Sequence, residues 1–272
     1  MTAEPVRVPL DGAVLRPGVV RQHGEWRRLD IVPETGSTNA DLIARAGSGD
    51  DIRGAVLAAD FQAAGRGRHG RQWTAPPRSQ ISVSVGVDVA DVPSAAWGWL
   101  PLLTGVAVVQ SMAATAGVTA GLKWPNDVLA GGGKLAGILA EVAPRGDVIV
   151  VGVGLNVTLT EDEVPGVGAT SLAQLGASVL DRNVLLTALL DELGARIEHW
   201  RLARGSDSEL ADLYRQRSVT LNSSVRAQLP GDRVLVGTAV AVDDSGRLCI
   251  DTGGDVVTVS AGDITHLRPG ES

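Results

Sequence analysis

The stretch "KLAGILAEVAPRGDVIVVGVGLNV" (134–157) decides the fold class. It holds two apolar runs, 134–142 and 147–157, separated by the turn "APRG", and such a pair predicts an antiparallel hairpin. Upstream of it, "GLKW" (121–124) is strand-like, "PNDVLAGGG" (125–133) reads as a loop, and a helix is expected from about Ser94 to Ala116. "ISVSVGVDV" (81–89) alternates strictly, with Ile81, Val83, Val85 and Val87 on one face and Ser82, Ser84 and Gly86 on the other. That pattern predicts a half-buried strand. "GAVLAADF" (54–61) suits a buried strand. "TGSTNADLIARAG" (35–47) predicts a helix capped by Thr38, with Asp41 three residues on, an apolar face of Leu42, Ile43 and Ala46, and Gly47 as its stop. Residues 1–28 mix Pro, Gly and charge without a period and read as an arm or edge segment. Downstream, 169–215 reads as helices. From Ser218 short β-like runs are broken by "LPGD", "DDSG" and "TGGD", which suggests a small β-barrel.

The pattern is α+β: an N-terminal arm (1–28), a large domain (29–217) and a small C-terminal β domain (218–272). A chain of 272 residues can bury a sizeable core, and 44% hydrophobic with 20% charged residues excludes a disordered chain. The net charge of −7, from 24 Lys+Arg against 31 Asp+Glu, argues against a surface that grips nucleic acid throughout. Cys249 is the only cysteine, which excludes an intrachain disulfide and fits a reducing cytoplasm. The first residues carry no apolar run of signal-peptide length. "VIVVGVGLNV" (148–157), read as the longest apolar stretch, is far too short for a bilayer, so a soluble cytoplasmic protein is expected.

"GRGRHGRQW" (65–73) is a basic island in this acidic chain. Gly65, Gly67 and Gly70 let backbone N–H groups turn toward a ligand, while Arg66, Arg68 and Arg71 offer forked donors for phosphate or carboxylate. Trp73 can wall off such a ligand, although a lone tryptophan is more often core. The G-x-G-x-x-G spacing does not open a helix as a dinucleotide fold needs, since "TAPP" follows. "AGGGKLAG" (130–137) is not a phosphate loop, because position 128 is Val and 135 is Leu.

"KWPNDVLAGGGKLAGIL" (123–139) sets Lys123, Asn126, Asp127 and Lys134 around one turn and one glycine hairpin. Pro125 disfavours helix at Trp124 and leaves Asn126 and Asp127 at a strand end. Asp127 can hold Mg²⁺ or another cation, and the Asn126 amide can read an adenine edge. An Asn-Asp pair after Pro is equally a plain turn-former. Lys134 opens an apolar strand, where an amine is expensive without a partner; it is an anion clamp or an edge lysine that discourages aggregation.

With both segments in view, the sequence resembles the biotin protein ligases. The match runs in order from about residue 29 to 270 through "STN" (37–39), "QAAGRGRHGRQW" (62–73), "KWPNDV" (123–128), "KLAGIL" (134–139), "VGVGLNV" (151–157) and "ITHLRP" (264–269). The resemblance implies a catalytic domain of the class II aminoacyl-tRNA synthetase and biotin synthetase type, followed by an Src-homology-3-like barrel. It implies an ATP-dependent ligase that uses Mg²⁺. Biotin's carboxylate attacks the α-phosphate of ATP, pyrophosphate leaves, and a lysine of a biotin carboxyl carrier domain of an acyl-CoA or pyruvate carboxylase then takes the biotinyl group from biotinyl-5′-AMP.

By the same resemblance, Lys134 contacts biotin's carboxylate and the α-phosphate, Arg68 restrains the adenylate, and Trp73 helps close the site. Asp127 orients the metal or the incoming amine. Ser37, Thr38, Asn39 and Gln62 read the ureido ring, Gly65 and Arg66 complete the biotin contacts, and Gly137 permits close approach of the strand. Arg71, Asn126, Asn156 and Arg268 map to the nucleotide. His69 stands where the family often has a basic residue and weakens the loop's positive field at neutral pH. Some family members carry an N-terminal helix-turn-helix. The roughly 28 residues before the core are too few for one, so the monofunctional type without DNA or membrane binding is expected, as a monomer or weak homodimer. A lipoate or octanoate ligase shares the adenylate logic but not this set of motifs; a biotin sensor could dispense with Lys134 and Arg68.

Overall fold

The computed structural model describes residues 7–22, 24–163, 168–229, 233–260 and 263–266. Seven strands, β1 (Arg28–Val32), β2 (Ala55–Ala59), β3 (Gln80–Asp88), β4 (Gly121–Lys123), β5 (Asp127–Ala130), β6 (Gly133–Val142) and β7 (Val148–Asn156), form one mixed sheet ordered β1-β2-β3-β7-β6-β5-β4. Only β1 and β2 run parallel. The hairpin expected at 134–157 is β6–β7, with Gly137 opposite Gly154 and Leu139 opposite Gly152. A second sheet, antiparallel throughout, is built from β8 (Ser224–Leu229), β9 (Arg233–Val242), β10 (Leu248–Asp251), β11 (Val256–Val259) and β12 (Asp263–His266), in the order β11-β10-β9-β8-β12.

Each face of the large sheet is buried by a different set of helices. On one face, α3 (Trp99–Ala116) and α4 (Arg182–Leu202) cover the main apolar core. A Cβ at Gly105 of α3 would meet Leu122 Cδ2 at 2.9 Å, so helix and strand approach closely there. On the other face, α2 (Thr38–Gly47) packs Leu42 and Ala46 with Leu57 and Val150 into a smaller core. α5 (Ser208–Arg217) leads into the second sheet and stacks Tyr214 edge-on against Trp99 at 6.0 Å.

Several local expectations need correction. β3 is buried along both faces rather than half-buried, because α2 covers the side of Ser82 and Ser84. "PNDVLAGGG" is not all loop: Asp127–Ala130 forms β5, paired on both sides. The cap of α2 is Ser37, whose hydroxyl faces Ala40 N, one residue before Thr38. The expected helix from Ser94 is a single 3₁₀ turn over 94–96 followed by α3, and 170–180 is turn-rich rather than helical. The arm is also more ordered than its composition suggested. Asp11 caps α1 (Gly12–Val19), which buries Leu15 and Val19 against α4 despite carrying Pro17. Trp26 then donates to Leu190 O at 2.8 Å.

The longest apolar segment is α3 and not 148–157. It is long and apolar enough to cross a bilayer, but 72% of it is buried inside this molecule, as a core helix must be. Arg182, at the start of α4, is 4% exposed and holds Asp60 Oδ1 at 2.5 Å, Val8 O at 2.6 Å and Gln80 O at 3.2 Å. A buried guanidinium is tolerable only with such partners. It fixes the arm, the end of β2 and the start of β3 beside the cavity described next.

Candidate active site

The face of the large sheet not covered by α3 and α4 carries small residues in register. Gly137, Gly154 and Ser82 stand side by side across β6, β7 and β3, and Leu139, Gly152 and Ser84 form the next row. The result is a shallow floor under a cavity of about 470 Å³, within the usual range for small-molecule sites. Glycine is required at two points of this floor. A Cβ at Gly152 would collide with Asn39 Oδ1, and one at Gly154 would collide with the Trp73 indole.

One end of the cavity is neutral and polar. Gln62 Oε1 accepts from Thr38 N at 2.9 Å and from Thr38 Oγ1 at 3.1 Å. Ser84 Oγ lies 2.6 Å from both Thr38 Oγ1 and Asn39 Oδ1, while Asn39 Nδ2 donates to Leu139 O at 3.1 Å and Glu141 Oε2 at 2.8 Å. Ser37, Thr38, Asn39 and Gln62 are all buried, so their geometry is fixed before any ligand arrives.

The other end is charged. Lys134 Nζ lies 2.7 Å from Asp127 Oδ1 and 5.2 Å from the centroid of the Trp73 ring. The Trp73 indole lies over Gly137 and Gly154, with Nε1 donating to Gln80 Oε1 at 2.6 Å. The arginine loop closes on itself: Trp73 N donates to Gly65 O at 2.9 Å and Gly67 N to Arg71 O at 2.7 Å. A Cβ at Gly65 would collide with Trp73 O, which explains that glycine. Arg68 donates to Asn126 Oδ1 at 3.3 Å, and Arg66 and Arg71 also line the cavity.

Two asparagines are committed to backbone. Asn126 Nδ2 donates to Ile138 O at 2.8 Å, so this amide ties the turn between β4 and β5 to β6 instead of standing ready for a base edge. Asn156 Nδ2 donates to Thr170 O at 2.9 Å and Lys134 O at 3.2 Å, holding the wall beside Lys134.

The fold therefore brings Ser37, Thr38, Asn39, Gln62, Arg66, Arg68, Arg71, Trp73, Asn126, Asp127, Lys134, Gly137 and Asn156 to one cavity. Gly65 lies directly beneath Trp73, and Arg268 lies outside the described residues. The second sheet closes the far side with Ile264 and Thr265. It is tied there by Trp124 Nε1 donating to Gly246 O and Trp124 N to Thr220 Oγ1, both at 3.0 Å. The sequence reading missed Ser84, Gly152 and Gly154 as site residues. The signal was available in the period-two spacing of Ser82 and Ser84 and of Gly152 and Gly154.

Residues 45–157 match the Biotin/lipoate A/B protein ligase family, and residues 220–267 match the Biotin protein ligase C terminal domain. The chain is 56% identical to the Biotin–[acetyl-CoA-carboxylase] ligase of Mycobacterium tuberculosis, over 97% of this chain and 98% of that one. It is 31% identical to the Bifunctional ligase/repressor BirA of Escherichia coli, over 89% of this chain and 74% of that one. The fold matches a biotin protein ligase from Aquifex aeolicus in complex with biotin and ATP, with a TM-score of 0.76 at 24% identity, covering 89% of this chain and 100% of that one. On the ordered motifs, the shared fold and this level of identity, the chain belongs to the biotin protein ligase family.

Proposed function

We propose that this chain activates biotin with ATP and transfers the biotinyl group to a lysine of a biotin carboxyl carrier domain of an acyl-CoA or pyruvate carboxylase. In the first step a carboxylate oxygen of biotin attacks the α-phosphorus, the bond to the β-phosphate breaks, and pyrophosphate leaves with the electron pair. In the second step the lysine amine attacks the mixed anhydride carbonyl, and AMP leaves. The observation that carries this reading is one cavity with a preformed neutral hydrogen-bonding cluster at one end and Lys134, Arg66, Arg68 and Arg71 at the other. A neutral ureido ring attached through an alkyl chain to a carboxylate needs that polarity.

Lys134 and Arg68 would hold the two anions together, since attack of one anion on another depends on positive charge already in place. The Thr38, Asn39, Ser84 and Gln62 network would read the ureido group, with Ser37 fixing the turn that presents it, while Trp73 and Gly137 would form the wall and floor along the alkyl chain. Gly65 and Arg66 would complete the biotin side. Arg71, Asn156 and Arg268 would border the nucleotide, with Asn126 acting through the turn it braces. Among the described residues no three His, Cys, Asp or Glu side chains gather to hold a metal, and Asp127 is the one acidic residue lining the cavity. That donor set fits Mg²⁺ arriving with ATP, where Asp127 would supply one oxygen and the metal would neutralise phosphate charge. Asp127 would also accept from the incoming amine in the transfer step.

The same reading divides the chain into an arm (1–28), a catalytic domain of the class II synthetase type (29–217) and an Src-homology-3-like barrel (218–272). It makes the protein a cytoplasmic, monofunctional ligase, monomeric or weakly dimeric, that binds neither DNA nor membrane. The test is pyrophosphate release from ATP and Mg²⁺ with biotin, and separately with lipoate or octanoate, without acceptor. Release with biotin alone is expected; release only with lipoate or octanoate would move the chain to the sister activity, and silence with all three would favour a sensor.

A further inference from the structure

Among the described residues, five cationic side chains line the cavity: Arg66, Arg68, Arg71, Lys123 and Lys134. Lys134 is committed to Asp127 and Arg68 to Asn126. Lys123 is different. It ends β4, is half-buried, and among the described residues its ammonium has no ion pair or hydrogen-bond partner. A partly desolvated ammonium without a counter-charge is costly, so the position makes physical sense if an anion from outside completes it. We propose that Lys123, at the end of β4 facing β12, is the seat of the leaving pyrophosphate.

The order of the sheet gives the direction. From β3 to β4 the strands run β3-β7-β6-β5-β4. The Thr38 and Ser84 network lies over β3 and β7, Lys134 and Asp127 stand on β6 and β5, and Lys123 stands on β4. Ile264 and Thr265 of β12 line the same end of the cavity. Displacement at phosphorus places the leaving oxygen roughly opposite the attacking one. A carboxylate that approaches Lys134 from the β3 and β7 side therefore expels pyrophosphate toward β4. The adenosine is left the third side, where Asn156, Leu159 and Ala169 form the wall. The inference rests on the proposed adenylation for the identity of the anion, but the cation and its place do not depend on it.

His266 supplies a reporter. Its Nε2 lies 3.2 Å from Thr220 Oγ1, the atom that also accepts from Trp124 N. Burial pushes its imidazole below the ordinary value, and the charge of Lys123 pushes it lower. An anion bound on Lys123 cancels the second effect, so His266 should titrate at higher pH when the seat is filled.

The experiment uses the full chain and inorganic pyrophosphate. NMR titration of His266 is followed with and without pyrophosphate in the parent protein and in Lys123→Ala and Lys123→Arg, with melting curves to establish folding. The two half-reactions are then measured separately, as biotin-dependent pyrophosphate exchange and as transfer from synthetic biotinyl-5′-AMP. Pyrophosphate is expected to raise the His266 midpoint by about half a unit in the parent and not in Lys123→Ala. Lys123→Ala should slow exchange by ~10- to 100-fold and transfer by under about threefold, with Lys123→Arg restoring most of the exchange. A His266 midpoint indifferent to pyrophosphate in the parent, or equal slowing of both half-reactions, overturns the proposal. An intact His266 response in a chain that releases no pyrophosphate with biotin would remove the ligase reading and leave the anion seat standing.

Discussion

Lys134 reaches Asp127 diagonally across the β5–β6 ladder. Leu129, not Asp127, stands opposite Lys134, and a bulge between Val128 and Leu129 shifts the register, yet Nζ and Oδ1 lie 2.7 Å apart. The lysine stem passes over Gly137, whose missing Cβ would lie 3.2 Å from Cε and 3.3 Å from Nζ. The register therefore stores the amine beside a carboxylate until substrate anions compete for it.

Lys134→Ala is expected to reduce biotin-dependent pyrophosphate release by ~10²- to 10³-fold, the size seen when one preorganised donor to a developing charge is lost. The fold should survive. The pair is 33% and 22% exposed, so its loss costs about 1 kcal/mol or less. Near-normal turnover in a well-folded variant would refute the role given to Lys134.

Gly154→Ala tests the floor. The added methyl would strike the Trp73 indole, which must then leave its place over β6 and β7 and break the 2.6 Å bond to Gln80. Biotin affinity, measured by calorimetry, should fall by at least ~10-fold. Gly137→Ala should cost less, because its Cβ would meet Trp73 Cζ3 at 3.0 Å and otherwise only the flexible end of Lys134. The reverse ranking would mean that Trp73 does not wall the biotin site.

Arg7 ties the arm to the wall of the cavity. It donates to Glu163 Oε1 at 2.9 Å and Oε2 at 2.5 Å, to Thr158 O at 2.7 Å and to Thr158 Oγ1 at 3.1 Å. The hydrogen bonds from Arg7 pull the Glu163 carboxyl from its ordinary 4.5 to about 2. Because the folded value is the lower one, the unfolded chain binds more protons between these values. The pair's stabilisation is thus complete above pH 4.5 and is lost as pH falls toward 2. Arg7→Ala should cost about 1 kcal/mol or less at pH 7, since the pair is partly exposed, and the difference should shrink steadily below pH 4.5. Urea unfolding from pH 7 to 3 checks this; a constant difference across that range would contradict it.

The elements most legible in the sequence are those with an unambiguous period and punctuation, such as the β6–β7 hairpin and α2. β3 misled because a serine face looks solvated in one dimension; only the packing of α2 over β3 and β7 buries Ser84 against Thr38 and Asn39. β5 was hidden because "PND" and "GGG" are turn chemistry, and the three residues between them show no period of their own. Pro17 hid α1, whose stability comes from Leu15 and Val19 against α4 and not from local propensity. In the site, residue identities were readable but their pairings were not. The Lys134–Asp127 contact depends on a bulge, and the commitment of Asn126 to Ile138 O depends on strand geometry that no spacing encodes.

The arginine loop offers the last test. Its Arg66, His69, Gly70, Arg71 and Gln72 are exposed, and His69 and Gly70 are left-handed, with φ of 55° and 72°. Its backbone is held mainly by its own bonds, Gly67 N to Arg71 O, Arg71 N to Arg68 O and Trp73 N to Gly65 O. Like charges on a short exposed loop repel, and a segment with few apolar contacts opens at low cost. Amides from Arg66 to Gln72 should therefore exchange rapidly in the ligand-free protein, while those of β7 stay protected by pairing on both sides. Biotin with ATP should slow the loop amides by at least ~10-fold, because an adenylate bound in the cavity adds charge-assisted contacts between the loop and the ligand. Full protection before ligand arrives would mean that the site is already closed, and unchanged exchange after it arrives would mean that the loop does not hold the intermediate.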